Sequence, residues 1–145
     1  MRILGIDYGR ARLGLALTDE DGIVASPLPV LARSARDVDE IATLAREWSV
    51  GRIVVGLPLH MDGGRGEMAD EAAAYAERIR QRAGVPVDLF DERWTTSEAE
   101  RALIEGDVPR KRRKALRDGL AAVLLVQAYS AARSGDPGAH RDEEI

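Results

Sequence analysis

Acidic residues interrupt hydrophobic stretches at three places along this chain of 145 residues. Asp7 follows the apolar run ILGI, Asp91 and Glu92 follow VDLF, and Asp118 precedes GLAAVLLVQAY. Two carboxylates about 4 Å apart repel each other by about 4 kcal/mol at an effective dielectric constant near 20, so a cluster of three needs a proton or a cation. Oxygen ligands without Cys or His favour Mg²⁺ or Mn²⁺, and two such ions roughly 4 Å apart would support phosphoryl transfer.

Each of these acids also has a structural explanation that involves no chemistry. Asp7 is equally suited to satisfy a hairpin turn with its side chain, and Asp118 is equally suited to cap a helix that begins at Gly119. For Asp91 and Glu92, a solvated strand end is the more common outcome. Three acids at the ends of elements are nevertheless harder to explain by coincidence than one, which favours a site.

The composition narrows the chemistry that such a site could use. Cysteine is absent, which excludes disulfides, thiolate nucleophiles and Cys-based metal sites.

The formal net charge is -4, but the run RKRRKALR at 110–117 holds six basic side chains and no acid. This run is expected to form a loop before the last helix that neutralises backbone phosphates of a nucleic acid, and a solvated charged loop without a ligand is the alternative. Its proximity to Asp118 favours binding, through the basic residues Arg110, Lys111, Arg112, Arg113 and Lys114.

The length and hydropathy predict one cytoplasmic domain. No apolar run approaches the ~20 residues of a transmembrane helix, and the N-terminus lacks the pattern of a signal peptide. We therefore expect no membrane partner. The domain should span residues 1–134, followed by a disordered acidic tail at 135–145.

Periodicity and turn residues predict an α/β fold with a mixed sheet. Pro27 and Pro29 cannot donate to a strand ladder, so the third strand is expected at an edge or a bulge. Gly9 is expected to take a positive φ in the hairpin between the first two strands. A meander of three strands followed by alternating strands and helices gives a sheet that is antiparallel first and parallel later. Strands are predicted at about 2–8, 12–18, 22–32, 52–57 and 85–92, and helices at about 34–48, 67–84, 95–105 and 115–133.

This order of elements can bring the acids together. If the strands that hold Asp7 and Glu92 are neighbours in the sheet, and the last helix lies across their ends, these two acids and Asp118 converge.

Four segments of the chain together resemble a known family. GIDYGRARLGLA, IVVGLPLHMDG, DERWTT and RDGLAAVLLVQAY occur in the order and approximate spacing of the YqgF/RuvX family, which is similar to the Holliday-junction resolvase RuvC. The resemblance implies a ribonuclease H-like fold, with a five-stranded sheet flanked by helices. It also implies metal-binding acids at Asp7, Glu92 and Asp118. The matching DER pattern favours Glu92 over Asp91 as the ligand and leaves Asp91 as a supporting group behind it.

The resemblance implies a metal-dependent nuclease that uses Mg²⁺ or Mn²⁺ and a two-metal-ion mechanism. Two substrates are implied for this family, the 5′ end of precursor 16S ribosomal RNA and four-way DNA junctions. Symmetric cleavage of a junction calls for two sites related by a two-fold axis, hence a homodimer. A non-catalytic nucleic-acid-binding module is a further alternative, although the retention of all three acids argues against it.

Two single arginines could reach a substrate phosphate near the acids. Arg10 lies in the hairpin that follows Asp7, and Arg93 follows Glu92. A surface position is the alternative for each.

Overall fold

The computed structural model describes residues 1–58, 66–92 and 110–135, with the backbone alone at 110–118 and 134–135. The predicted helix at 95–105, Arg93 and all but the first residue of the predicted tail lie outside this part of the chain. The described elements are β1 (Arg2–Asp7), β2 (Arg12–Thr18), β3 (Ala25–Ala32), α1 (Asp37–Glu47), β4 (Val50–Leu57), α2 (Glu67–Ala83), β5 (Val87–Asp91) and α3 (Arg110–Gly135).

The strands form one mixed sheet in the order β3-β2-β1-β4-β5. β2 runs antiparallel to both β1 and β3, whereas β4 is parallel to both β1 and β5. The prediction of a five-stranded sheet that is first antiparallel and then parallel is therefore confirmed. β3 lies at an edge, as Pro27 and Pro29 predicted, because an edge strand tolerates residues without an N–H donor.

Helices cover both faces of the sheet, and the strand residues alternate between two hydrophobic clusters. On one face Leu4 and Ile6 pack with the buried residues of α1 and α2, and on the other face Ile3 packs with the buried residues of α3. This alternation follows from the two-residue period of a strand. Continuous apolar runs such as RILGI and RIVVGL arise because both faces of β1 and β4 are covered.

Close packing brings α3 directly onto the central strand at Gly5. A Cβ at this position would contact Val126 Cγ2 and lie 3.2 Å from the carbonyl oxygen of Ala122. The absence of a side chain on Gly5 therefore sets how near the helix approaches β1.

The hairpin between β1 and β2 differs from the prediction in one respect. Gly9 does not take a positive φ, which among the described glycines is found only at Gly22 and Gly84. Glycine is needed at this point for space, because a Cβ on Gly9 would contact the carbonyl oxygen of Arg12.

Two helix boundaries depend on local side-chain or backbone geometry. α1 begins at Asp37, three residues after the predicted start, because the Asp37 carboxylate accepts a hydrogen bond from the Ser34 amide at 3.0 Å and closes a turn before the helix. α2 ends at Ala83, and Gly84, where the sequence predicted the helix to stop, has the left-handed conformation (φ 71°) typical of a residue that follows a helix.

The last helix is longer at its N-terminal end than predicted, and it corrects two interpretations. α3 begins at Arg110, so the basic run from Arg110 to Lys114 has a helical backbone and does not form a loop. Lys and Arg are good helix formers, so the composition of this run is compatible with a helix. Asp118 lies within α3, so it does not cap a helix that begins at Gly119. Neither α3 nor any other helix in the described part of the chain could cross a membrane.

Candidate active site

Asp7 ends the central strand on the face of the sheet that α3 covers. Ile3 and Gly5 contact α3, and the two-residue period of β1 places Asp7 on the same face. Gly14 of β2, which pairs with Asp7 of β1, has no side chain beside the Asp7 carboxylate. Asp7 forms part of the wall of an open depression of about 290 Å³, whose lining residues are Asp7, Tyr8, Gly9, Arg10, Ala11, Arg12 and Gly14.

Glu92 reaches toward Asp7 across a strand that lies between them. β1 and β5 are separated by β4, so the strands that precede Asp7 and Glu92 are not the neighbours that the sequence suggested. The intervening position on the α3 face is Gly56, where a Cβ would contact Glu92 Oε1 and lie 2.8 Å from both Cδ and Cγ of Glu92. The Glu92 side chain therefore lies over Gly56, on the strand next to Asp7. The missing side chain of Gly56 makes this approach possible.

Asp91 falls on the opposite face of the sheet from Glu92. Phe90 packs edge-on against Tyr129 of α3 at 5.8 Å between ring centroids, and Val87 lies in the cluster with α1 and α2. Alternation along β5 consequently gives Asp91 the face of Val87, whereas Glu92, which follows the strand, lies over Gly56 on the face of Phe90. Glu92 therefore shares its face of the sheet with Asp7, and Asp91 lies on the other face.

Asp118 occupies a position in α3 one helical turn before Ala122. The Ala122 carbonyl lies close to Gly5 on β1, two residues before Asp7. Position 118 therefore lies on the part of α3 that packs on this face of the sheet, and the next residue, Gly119, lies next to Pro27 of β3. Among the side chains that the structure describes, no group of three or more potential metal ligands is found.

Arg10 lines the same depression as Asp7 and is bound by Glu71, an acid that was not among the predicted site residues. Its guanidinium donates to Glu71 on α2, from Nη2 at 2.6 Å and from Nε at 3.1 Å, and Nη2 also lies 3.6 Å from Glu67. Tyr8 donates its hydroxyl to the other oxygen of Glu71 at 3.2 Å. The hydrogen bond from Arg10 holds the pKa of Glu71 below its ordinary value.

A buried ion pair, whose residues were not among the predicted site residues, supports the hairpin from behind. Arg33 donates from Nη1 to the Gly9 carbonyl and from Nε to Asp37, both at 2.8 Å, and its guanidinium packs against the rings of both Tyr8 and Tyr75. Burial alone would raise the pKa of Asp37, which is 1% exposed, but hydrogen bonds from Arg33 and the Ser34 amide hold that pKa below its usual value. The one sequence signal for the pair is the four-residue spacing of Arg33 and Asp37.

A second polar cluster fixes α3 to the opposite end of the sheet. Asp88 of β5 accepts a hydrogen bond from the Tyr129 hydroxyl and forms an ion pair with Arg52 of β4 at 2.8 Å. Arg133 donates to the same hydroxyl at 3.1 Å. Burial, together with the bond to Asp88, raises the pKa of Tyr129 above its ordinary value. These contacts hold the helix that carries Asp118 in place.

Comparison with known sequences gives a match over almost the whole chain. Residues 1–131 match the family model for RuvX, described as Holliday junction resolvase. A protein of Anaeromyxobacter sp. (strain Fw109-5) named "Putative pre-16S rRNA nuclease" is 47% identical over 131 residues, which cover 89% of this chain and 96% of that protein. A protein of the same name from Desulforudis audaxviator is 40% identical over 131 residues, covering 89% of this chain and 93% of its own. The resemblance found in the four sequence motifs is thereby confirmed.

Comparison with solved structures supports the predicted fold. RuvC of T. thermophilus, determined in complex with a Holliday junction substrate, matches with a TM-score of 0.59 at 21% identity over 93% of this chain and 96% of RuvC. Fowlpox virus resolvase, determined with Holliday junction DNA, matches with a TM-score of 0.56 at 10% identity over 91% and 98% of the two chains. At these identities the likeness concerns the fold, and it agrees with the predicted ribonuclease H-like class.

Proposed function

Since this chain belongs to the RuvX family, we propose that it is a nuclease that hydrolyses phosphodiester bonds in structured nucleic acid. The substrate we favour is precursor 16S ribosomal RNA, at its 5′ region, because the relatives at 40–47% identity are named "Putative pre-16S rRNA nuclease". The structural observation that supports the proposal is the reach of Glu92 over Gly56 toward Asp7. Glu92 can lie over the strand that separates it from Asp7 because that strand has no side chain at Gly56.

The donor set fits a divalent cation. Asp7 and Glu92 offer only carboxylate oxygens, the ligands that Mg²⁺ and Mn²⁺ prefer, and cysteine is absent from the chain. The space that a side chain on Gly56 would fill is occupied by the Glu92 side chain, which is thereby held on the same face of the sheet as Asp7. We propose that Asp7, Glu92 and Asp118 hold two divalent metal ions. Bound there, the ions would activate the attacking water and stabilise the departing 3′ oxygen.

The residues around the acids would bind and orient the nucleic acid. Arg10 lines the same depression as Asp7, and its guanidinium matches the geometry of a phosphate. Arg93 follows Glu92 in the sequence, and the basic segment 110–114 begins the helix that carries Asp118. We propose that these residues neutralise backbone phosphates, with Asp91 as a supporting group. Such contacts give affinity that falls with salt and little sequence specificity.

Holliday junction resolution is the second candidate, because the matching family model is described by that activity. A junction resolvase needs two sites related by a two-fold axis and therefore a homodimer. An obligate monomer would favour the ribosomal RNA precursor. A non-catalytic nucleic-acid-binding module would retain affinity for nucleic acid but show no cleavage in the presence of Mn²⁺.

A side-by-side cleavage assay distinguishes these functions. The purified protein is given a four-way DNA junction and a 16S precursor with its 5′ extension, each with Mn²⁺ and with Asp7→Asn as the control. We expect cleavage of the precursor at its 5′ side by the wild type and none by Asp7→Asn. Preferential symmetric cleavage of the junction would replace the favoured substrate by the second candidate. If neither substrate were cut, the nuclease proposal would be wrong.

A further inference from the structure

The guanidinium of Arg10 is held by one of its edges. Glu71 accepts from Nε and Nη2 of Arg10, and no described residue accepts a hydrogen bond from Nη1. Arg10 is 58% exposed at its side chain and also lines the depression next to Asp7. An arginine can bind a carboxylate along one edge and a phosphate along another, because its five N–H groups form a rigid planar fork.

Glu71 is itself held in a fixed orientation. Its Oε1 accepts a hydrogen bond from the Tyr8 hydroxyl, and the Tyr8 ring packs against Tyr75, with 5.4 Å between centroids, and against the guanidinium of Arg33. The Glu71 side chain is 37% exposed, whereas that of Glu67, which lies on the same helix and near the same guanidinium, is 92% exposed. The two acids near Arg10 thus differ in how firmly the fold holds them.

We propose that Glu71 is a positioning residue, which orients the free edge of Arg10 toward a phosphate of the nucleic acid bound beside Asp7. This inference rests on the proposed nuclease function. Glu71 would touch no substrate and would act only through Arg10. Fixing a long arginine side chain before binding removes part of the entropy that binding would otherwise lose.

The direction of the change in nucleic-acid affinity when Glu71 is removed distinguishes a positioning role from simple electrostatic repulsion. An acid close to a bound polyanion repels it, so removal of a carboxylate with no other role should tighten binding. A positioning role predicts the opposite, because Arg10 loses its fixed orientation. Glu67 supplies the matched control, since it carries the same charge on the same helix near the same guanidinium.

The experiment measures binding and cleavage of the 16S precursor by Glu71→Ala, Glu71→Gln, Glu67→Ala, Arg10→Met and the double variant Arg10→Met/Glu71→Ala. Binding is measured with Ca²⁺ in place of Mn²⁺, and thermal melting verifies that each variant is folded. We expect Glu71→Ala to raise KM and Kd by about fivefold with little change in kcat, because a charge-assisted contact is weakened and the acids are untouched. Glu71→Gln keeps an acceptor for Arg10 and should lie between Glu71→Ala and the wild type.

The variants that lack Arg10 test whether Glu71 acts through this arginine. Arg10→Met should reduce the slope of log K against log salt by about 0.7–0.9, the value for one phosphate contact. In this background Glu71→Ala should cause no further loss of affinity. Glu67→Ala should bind as tightly as the wild type or more tightly.

Two results would overturn the inference without affecting the proposed function. One is that the wild type binds and cleaves the precursor, but Glu71→Ala binds it more tightly than the wild type does, to the same extent as Glu67→Ala. The other is an equal loss from Glu71→Ala with and without Arg10. By contrast, a wild type that neither binds nor cleaves the precursor would contradict the proposed function itself.

Discussion

Replacing Gly56 by alanine tests whether the gap above this residue is required for catalysis. The added Cβ would contact Glu92 Oε1 and lie 2.8 Å from Cδ and Cγ. Carbon atoms in van der Waals contact are about 3.5–4.0 Å apart, so the Glu92 side chain must move by about 1 Å or adopt another rotamer. Since a misplacement of ~1 Å can reduce a rate by about 10²-fold, we expect kcat to fall by roughly two orders of magnitude.

The same substitution should change the free energy of unfolding very little. Glu92 is partly exposed at the end of the sheet, so its side chain has room to move. A strained rotamer costs about 0.5–1.5 kcal/mol, and the lower entropy of an unfolded chain with alanine in place of glycine offsets about 0.4–1 kcal/mol of it. The expected melting temperature is therefore within a few degrees of that of the wild type.

The assay follows cleavage of a labelled 16S precursor at saturating Mn²⁺, with thermal melting measured on the same samples. Gly51→Ala is the matched control, because Gly51 lies near the start of the same strand and the atoms nearest an added Cβ belong to the side chain of Met1, which is half exposed. Gly51→Ala should cleave at nearly the wild-type rate. If folded Gly56→Ala also cleaved within threefold of the wild type, the role given to the gap and to Glu92 would be refuted.

Three further predictions follow from the core, the buried ion pair and the acids. Gly5→Ala should destabilise the protein by about 1–3 kcal/mol, because its Cβ would contact Val126 in a packed core; an unchanged denaturation midpoint in urea would contradict this. Because the folded pKa of Asp37 is lowered, its pairing with Arg33 stabilises the native state above the unfolded pKa of ~3.9, and this contribution is lost as pH falls through the folded value. Asp37→Asn should accordingly be less stable at pH 7 and lose less stability on acidification in a pH series of urea denaturation. Millimolar Mn²⁺ should raise the melting temperature of the wild type but not that of Asp7→Asn, and an equal shift in both would locate the metal elsewhere.

The sheet could be predicted from the sequence because its signals are local. The apolar runs and the prolines of β3 predict both the strands and the edge position, and Gly84 predicts the end of α2. The start of α3 was missed because the run RKRRK was interpreted as a charged loop, although lysine and arginine also favour helices.

The geometry of the site depended on contacts between residues distant in sequence. Asp7 and Glu92 were identified as acids at strand ends, but their separation by β4 could not be predicted without the strand order. The role of Gly56 follows only from that order. Glu71 and Arg33 could not be predicted, because the sequence does not distinguish a charged residue that contacts the hairpin from one that is exposed to solvent. Only the packing of the helices on the hairpin makes that distinction.

The most direct test of the proposed function is the rate of cleavage of the 16S precursor as a function of Mn²⁺ concentration, measured for the wild type, Asp7→Asn and Glu92→Gln. We expect metal-dependent cleavage by the wild type at the 5′ side of the precursor. Both variants should remain folded, as judged by thermal melting, and should show no cleavage above background. Cleavage by either variant at the wild-type rate would contradict the assignment of Asp7 and Glu92 as the acids that make this protein a nuclease.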